Sequence, residues 1–423
     1  MTLVFLVVKV FSNERNLLTG ISSVLDPRRL GILFAFWIVA AVTTLFMPRL
    51  FAGSVLVIPM RGDVSVATPL AATPQNISQL AYLTLSIIGA CAFAQILKAP
   101  HMRQTALHGY AFGAALLVLT GLLDFASQHV PIKPVLDVFR TGTYSFLVEV
   151  EVLGSKRIVG LMPEASTYGS TCVTMLCVLY FSRRALQSDY VRDIYVPVLL
   201  LLLLLFAWLS TSSAAYIGIV LFLFVATIEW TVRFVETHYN KLRRRHLGSE
   251  LLLVFLAAAG LAFIVLFKPS IVEGIIETID RMVFQKTDSS SFQERNMWTA
   301  TSLQALLSTY GLGVGVGGTR SSNQIVAVAS NTGIIGAMLY YLFIIQSLTR
   351  RAAPHDIEGA VLVSALRYSF VPSFVISLLI SPTADFGEGG AFRYGLLTAI
   401  GIGGMYAVHH QKHANQTRLS WSS

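Results

Sequence analysis

Residues 195–232 read YVPVLLLLLLLFAWLSTSSAAYIGIVLFLFVATIEWTV. A membrane span needs roughly 20 mostly apolar residues, and this stretch holds two such runs, 195–210 and 214–232. The Ser and Thr residues between them read as helix caps at a tight hairpin. The rest of the chain repeats the pattern. Of 423 residues, 54% are hydrophobic and only 13% are charged, about half the charge of an ordinary soluble domain. Mean hydropathy is +0.67. These values predict an all-α, polytopic membrane protein. The net charge of +9 would suggest nucleic acid only if the basic residues clustered on a soluble domain, and they do not. Cys91, Cys172 and Cys177 lie in apolar stretches without metal spacing and read as small core residues.

The same scan predicts about ten spans, at 30–47, 78–97, 107–124, 164–181, 195–210, 214–232, 250–267, 325–347, 358–380 and 391–408. The opening MTLVFLVVKVF is too short to cross and lacks a signal-peptide start and cleavage site, so residues 1–28 are expected to form a cytoplasmic interfacial segment. With both termini inside, most of the 31 Lys and Arg fall on cytoplasmic pieces, as the positive-inside rule requires. KLRRRH, the densest basic cluster, then reads as a topology anchor. Loops at 48–77, 125–163 and 268–324 fall outside. No soluble domain or repeat interrupts the chain, which reads as one transmembrane domain.

The outer loops nonetheless keep cations: Lys133, Arg140, Lys156 and Arg157 in one, and Lys268, Arg281, Lys286, Arg295 and Arg320 in the next. Cations held near span ends on the outer side point to an anionic ligand. In SKRIVGLMPEASTYGS, 155–170, Pro163 suits a first helical turn and Glu164 suits a helix N-terminus. A dipole-complementing acid beside a snorkelling Arg is the plain alternative. Glu294 and Arg295 open a segment with helical spacing (Trp298, Leu303, Leu306, Leu307), which ends in GLGVGVGG, 311–318. No Lys-Ser/Thr pair follows and no strand–helix unit surrounds it, so it is neither a P-loop nor a dinucleotide site. It reads as a flexible turn whose exposed N–H groups could approach a phosphate, or as a plain loop. SPTADFGEGGAFRYG, 381–395, places Asp385, Glu388 and Arg393 on a short outer loop.

The pattern R-x-x-G-L-x-x-E-x-S at Arg157–Ser166 resembles the arginine-plus-EPS stretch of Wzy-type polysaccharide polymerases, with Ala165 in place of the usual Pro. The segment from Arg295 through GLGVGVGG to NTGIIG is similar to the second arginine loop of that superfamily, which also holds the O-antigen ligases. STSSAAYIG looks like its Ser-Arg-rich turn without the Arg. The resemblance covers about 155–336. It implies glycosyl transfer at the periplasmic face of a bacterial inner membrane, lengthening a glycan carried on undecaprenyl diphosphate by moving it onto an incoming lipid-linked unit. Carried over by motif, Arg157 and Arg295 hold the diphosphate, with Lys156 and Arg320 beside them. Arg140, Ser322, Asn323, Asp385, Glu388 and Arg393 would contact substrate.

Guanidinium forks suit phosphate oxygens, and no Asp-x-Asp or His/carboxylate cluster in the sequence offers a metal site, so the expected enzyme is metal-independent and needs no cofactor. Ligases of the superfamily place a His where Ser322 stands, ahead of Asn323, and that departure favours a polymerase. The general base is then sought at Glu164, which lies between Arg157 and the bilayer, with Glu294 behind it. Partners would be the donor and acceptor lipids, a flippase and a chain-length co-polymerase. A ligase, or a carrier for lipid-linked oligosaccharide, remains the alternative. A carrier needs mid-bilayer ionisable groups, and Arg367 in VSALRYSFVPSF is either one of these or a snorkelling residue nearer the cytoplasm.

Overall fold

A computed structural model describes residues 14–62, 64–131, 133–139, 151–152, 155–236, 245–251, 280 and 290–401. Its helices are α1 (Glu14–Leu25), α2 (Gly31–Leu50), α3 (Pro74–Ile96), α4 (Pro100–Ala126), α5 (Ala165–Ser182), α6 (Val196–Leu209), α7 (Ser213–Val235), α8 (Ser290–Ser308), α9 (Gln324–Thr349) and α10 (Ile357–Ile380). A further helix, α11, runs through 387–401. The strands are two-residue pairs, β1 (Leu56–Val57) with β2 (Thr68–Pro69) and β3 (Glu151–Val152) with β4 (Ser155–Lys156). Among the described residues, seven helices are long and apolar enough to cross a membrane: α2, α3, α4, α6 with its π-helical lead-in from Val191, α7, α9 and α10. The chain is an all-α, multi-pass membrane protein.

Seven of the ten expected spans coincide with these helices, two of them starting several residues early, while the span expected at 164–181 forms α5, which is not among the seven. Helices α3 and α4 begin at Pro74 and Pro100, earlier than their apolar cores suggest. At α3 the polar first turn is held by a capping box between Thr73 and Asn76. At α4 the buried Arg103 pairs with Asp356 at 2.8 Å, so a charge can enter the helix early. The span expected at 250–267 lies almost wholly outside the described residues, as do residues 1–13 and residues 402–408 of that expected at 391–408. Cys91, Cys172 and Cys177 are buried free thiols.

The chain divides into two compact units. The first takes residues up to Leu107, Glu294–Leu366 and those from Ser377 on. In it α9 packs along α2, with Phe36 and Tyr340 rings 5.2 Å apart. A small core of Val55, Val57, Leu70, Ala305 and Val314 joins the β1–β2 hairpin to the end of α8 and the glycine segment. The second unit takes His108–Gln293 and Arg367–Ile376. At its centre is α5, rich in Ser, Thr, Gly and Cys and mostly buried. Those small side chains let neighbours approach closely: a Cβ on Gly169 would meet Ser210 Oγ at 2.2 Å, and one on Gly218 would meet Ile376.

Candidate functional site

In the second unit the α6–α7 hairpin closes as its sequence suggests. Ser212 caps α7, accepting from Ala215 N, and Thr211 adopts φ 47. That turn aims oxygen atoms at Arg157. Its Nε donates to Ser210 O (3.2 Å) and Thr211 Oγ1 (3.0 Å), and its Nη2 donates to Thr211 O (2.9 Å). Neutral oxygens orient a guanidinium without cancelling its charge. Ser210 also abuts Gly169 of α5, so the helix that Glu164 caps and the loop that carries Arg157 meet the same hairpin. Glu164 is the N-cap residue of α5, and its carboxylate accepts from Ser166 Oγ and, at 3.3 Å, from Thr167 Oγ1.

Lys156 has a different partner. Its Nζ lies 3.6 Å from Asp124 Oδ1, a carboxylate with no solvent exposure. Asp124 Oδ2 in turn accepts from Val159 N (2.7 Å) and Gly160 N (3.1 Å). Asp124 therefore folds the loop that presents Arg157, and Lys156 neutralises it. The role expected of Lys156, diphosphate binding, has a structural competitor that the sequence did not reveal.

In the first unit, Arg295, Trp298, Thr299 and Ser302 share one face of α8 by spacing. The Arg320 guanidinium lies over the Trp298 ring, 4.3 Å from its centroid, a cation–π contact. The Trp298 indole donates to Val64 O at 2.7 Å, which fixes the ring. The Arg320 backbone is fixed as well: its N donates to Ile58 O (2.9 Å) and its O accepts from Ser302 Oγ (2.8 Å). Arg295 and Arg320 thus belong to one scaffold, within about a helical turn of Trp298, while Glu294 is exposed.

Ser322 and Asn323 are engaged in that scaffold. Ser322 is buried and its N donates to Thr299 Oγ1 at 3.3 Å. Asn323 caps α9, accepting from Ile325 N and Val326 N. The glycine segment departs from its expected form. Residues 313–319 are buried, and Gly311, Gly313, Gly315 and Gly317 alternate at positive φ between 75 and 84. Several of its N–H groups have protein partners: Gly313 N donates to Thr309 Oγ1, Val314 N to Ser330 O and Val316 N to Thr44 Oγ1. It is a threaded strut, not an exposed phosphate nest.

The 381–395 stretch is also corrected. The helix α11 begins at 387, so Glu388 and Arg393 are helical rather than on a loop. Arg393 is buried between Phe392 and Tyr394 in sequence, and Asp385 Oδ1 accepts from Gly387 N at 3.1 Å. Arg140 lies outside the described residues.

A buried ionic lattice at the other end of the second unit has no counterpart in the sequence reading. Arg184 Nη2 meets Glu229 Oε1 at 2.7 Å, and Arg233 Nε meets Glu229 Oε2 at 2.8 Å. Arg233 Nη2 also pairs with Glu250, which Arg183 approaches to 4.0 Å. Beside it Arg192 is held by Asp189 and Asp193, and His246 Nε2 lies 3.3 Å from Asp193 Oδ1. Burial, then the Arg183 charge, pushes the His246 imidazole down to about 4. Arg183, Arg184, Arg192 and Arg233, counted among the cytoplasmic cations, are buried and have acidic partners. The i,i+4 spacing of Glu229 and Arg233 was the available signal, and residues 241–244 of the KLRRRH cluster lie outside the described residues. Compared with models of known protein families and with curated protein sequences, the chain matches none.

Proposed function

We propose that the chain is a membrane glycosyltransferase that polymerises polyprenyl-diphosphate-linked repeat units at the outer membrane face. The observation that carries this reading is the mounting of Arg320 on Trp298, beside Arg295 on a scaffold of hydrogen-bonded loops. Preorganised cations suit a reaction whose leaving group is a diphosphate, and such groups contribute about 3–4 kcal/mol each by analogy with oxyanion donors. In the transfer, the acceptor hydroxyl oxygen bonds to the donor's anomeric carbon. The carbon–oxygen bond to diphosphate breaks, and the diphosphate leaves with the electron pair. A carboxylate takes the hydroxyl proton, and in the first unit Arg295 and Arg320 meet the charge that develops on the phosphates; Arg157 and Glu164, in the second unit, are tested for the same roles on their own.

Purified protein incubated with a defined lipid-linked oligosaccharide should yield a ladder on a gel, and Arg295→Ala or Arg157→Ala should leave single units unextended. A ladder unchanged in both variants removes the proposed role of these arginines. Arg367, midway along α10, supports the second reading, a carrier of lipid-linked oligosaccharide. The same gel decides, because a carrier lengthens nothing. Glu229 and Arg233 do not help that reading, since they lie in the last two turns of α7 and pair with each other.

A further inference from the structure

Where α2 ends and α3 begins, the first unit has an open cavity of about 250 Å³, lined by the polar Thr44, Arg49, Thr73 and Asn76 and by Ala72, Pro74 and Ile77. That volume is below the roughly 300–1,000 Å³ of pockets for whole small-molecule ligands but has room for about eight waters, the scale of a lipid head group. Its polar walls are largely committed. Thr44 Oγ1 donates to Ala40 O and accepts from Val316 N, while Asn76 bonds to Thr73 N and Val316 O. The charge comes from Arg49, an exposed residue in the last turn of a membrane-spanning helix. One of its five N–H donors goes to Leu45 O. Among the described residues no carboxylate pairs with it, and none of the lining residues is acidic. Arg29 and Arg103, in the same unit, each have an Asp partner.

A guanidinium with donors to spare, fixed beside a head-group-sized hollow at the end of a span, matches the oxygens of a phosphate. We propose that this cavity binds the phosphate of a membrane lipid head group, with Arg49 forked onto it. None of Arg157, Arg295 and Arg320 lines it, and the proposal does not depend on the transfer reading. Two of its walls, Thr44 and Asn76, are nevertheless bonded to Val316 of the glycine segment, so an occupant would touch residues tied to the strut that leads to Arg320.

The test uses the purified full chain in neutral detergent, with retained lipid counted by native mass spectrometry. Phosphatidylglycerol should be retained over an uncharged galactosyl diacylglycerol, and Arg49→Gln should lower that retention at least tenfold, with Arg49→Lys recovering part of it. Ala72→Leu, which fills the cavity and keeps the arginine, should lower it similarly, while Arg61→Gln should not. Thermal denaturation establishes that each variant is folded. Displacement by inorganic phosphate would assign the site to free phosphate groups as well as lipids; no displacement would assign it to lipid alone. Equal retention of the two lipids, or unchanged retention in Arg49→Gln or Ala72→Leu, overturns the proposal.

Discussion

Replacing Gly333 by Ala tests whether the glycine segment and the break in α9 are one device. Gly333 sits inside α9 at φ 73, ψ 174, a region open essentially to glycine, where another residue costs about 1–3 kcal/mol. A Cβ there would stand 2.5 Å from Leu312 O and 2.9 Å from Gly311 O. Both are backbone atoms, and Gly311 O is held by Ile334 N at 2.9 Å. Relief requires the segment to withdraw, which loosens that bond and the 2.8 Å bond from Val314 N to Ser330 O. Each is worth about 0.5–1.5 kcal/mol, so the total expected loss is about 2–6 kcal/mol. Thermal and denaturant unfolding of the purified protein in detergent measures it. Gly109→Ala and Gly113→Ala in α4 are the controls: an added Cβ meets nothing within 4 Å, and a gain of about 0.5–1 kcal/mol is expected. Wild-type stability in Gly333→Ala would refute the interlocking of segment and helix.

Arg233→Ala leaves Glu229 and Glu250 without their shared cation in a buried site and should cost about 3–5 kcal/mol; an equilibrium unfolding midpoint within error of wild type would contradict this. His246 titrates below its ordinary value, so between pH 6.5 and about 4 the unfolded chain binds a proton that the folded chain refuses. Stability should fall as pH drops through that window, by at most ~3 kcal/mol, and His246→Gln should lack this component when melting is compared from pH 7.5 to 4.5. Lys156→Met strips Asp124 of its counter-charge and should lower stability while sparing transfer per folded molecule, whereas Arg157→Ala should abolish transfer. Equal loss of transfer in the two would restore Lys156 to the ligand.

The spans were legible because bilayer thickness imposes a length on any apolar helix. The edges at Pro74 and Pro100 were not, since caps and ion pairs to distant residues let polar turns stay helical. Arg157 and Glu164 could be singled out from local chemistry: a cation, a Pro and an acid at a span's lip. Asp124 could not. It is distant in sequence from Val159 and looks like a residue at the end of an apolar run, and only folding brings it to two loop amides. Trp298 read as one more apolar residue in helical spacing, because the cation above it comes from Arg320, beyond the glycines. The lattice around Glu229 was hidden for the same reason. Positive-inside counting registers the sign of charges at a span's end but says nothing of acids that fold back onto them.

The alternation of glycines is where local and global constraints meet. Non-helical backbone near the end of a span survives only if protein satisfies its polar groups. Gly315 passes against Thr44 Cα and Pro48 of α2, and Gly317 against Gln75 O and Gln79 of α3, approaches that leave no room for side chains. The intervening Val314 and Val316 fill the core and send their N–H groups to Ser330 O and Thr44 Oγ1. Amides spent in this way have no hydrogen to offer a phosphate. The two proposals made for this unit accordingly rest on side chains, Arg320 over Trp298 and Arg49 beside its cavity. A backbone nest would tolerate any residue at those two positions; guanidinium binding does not.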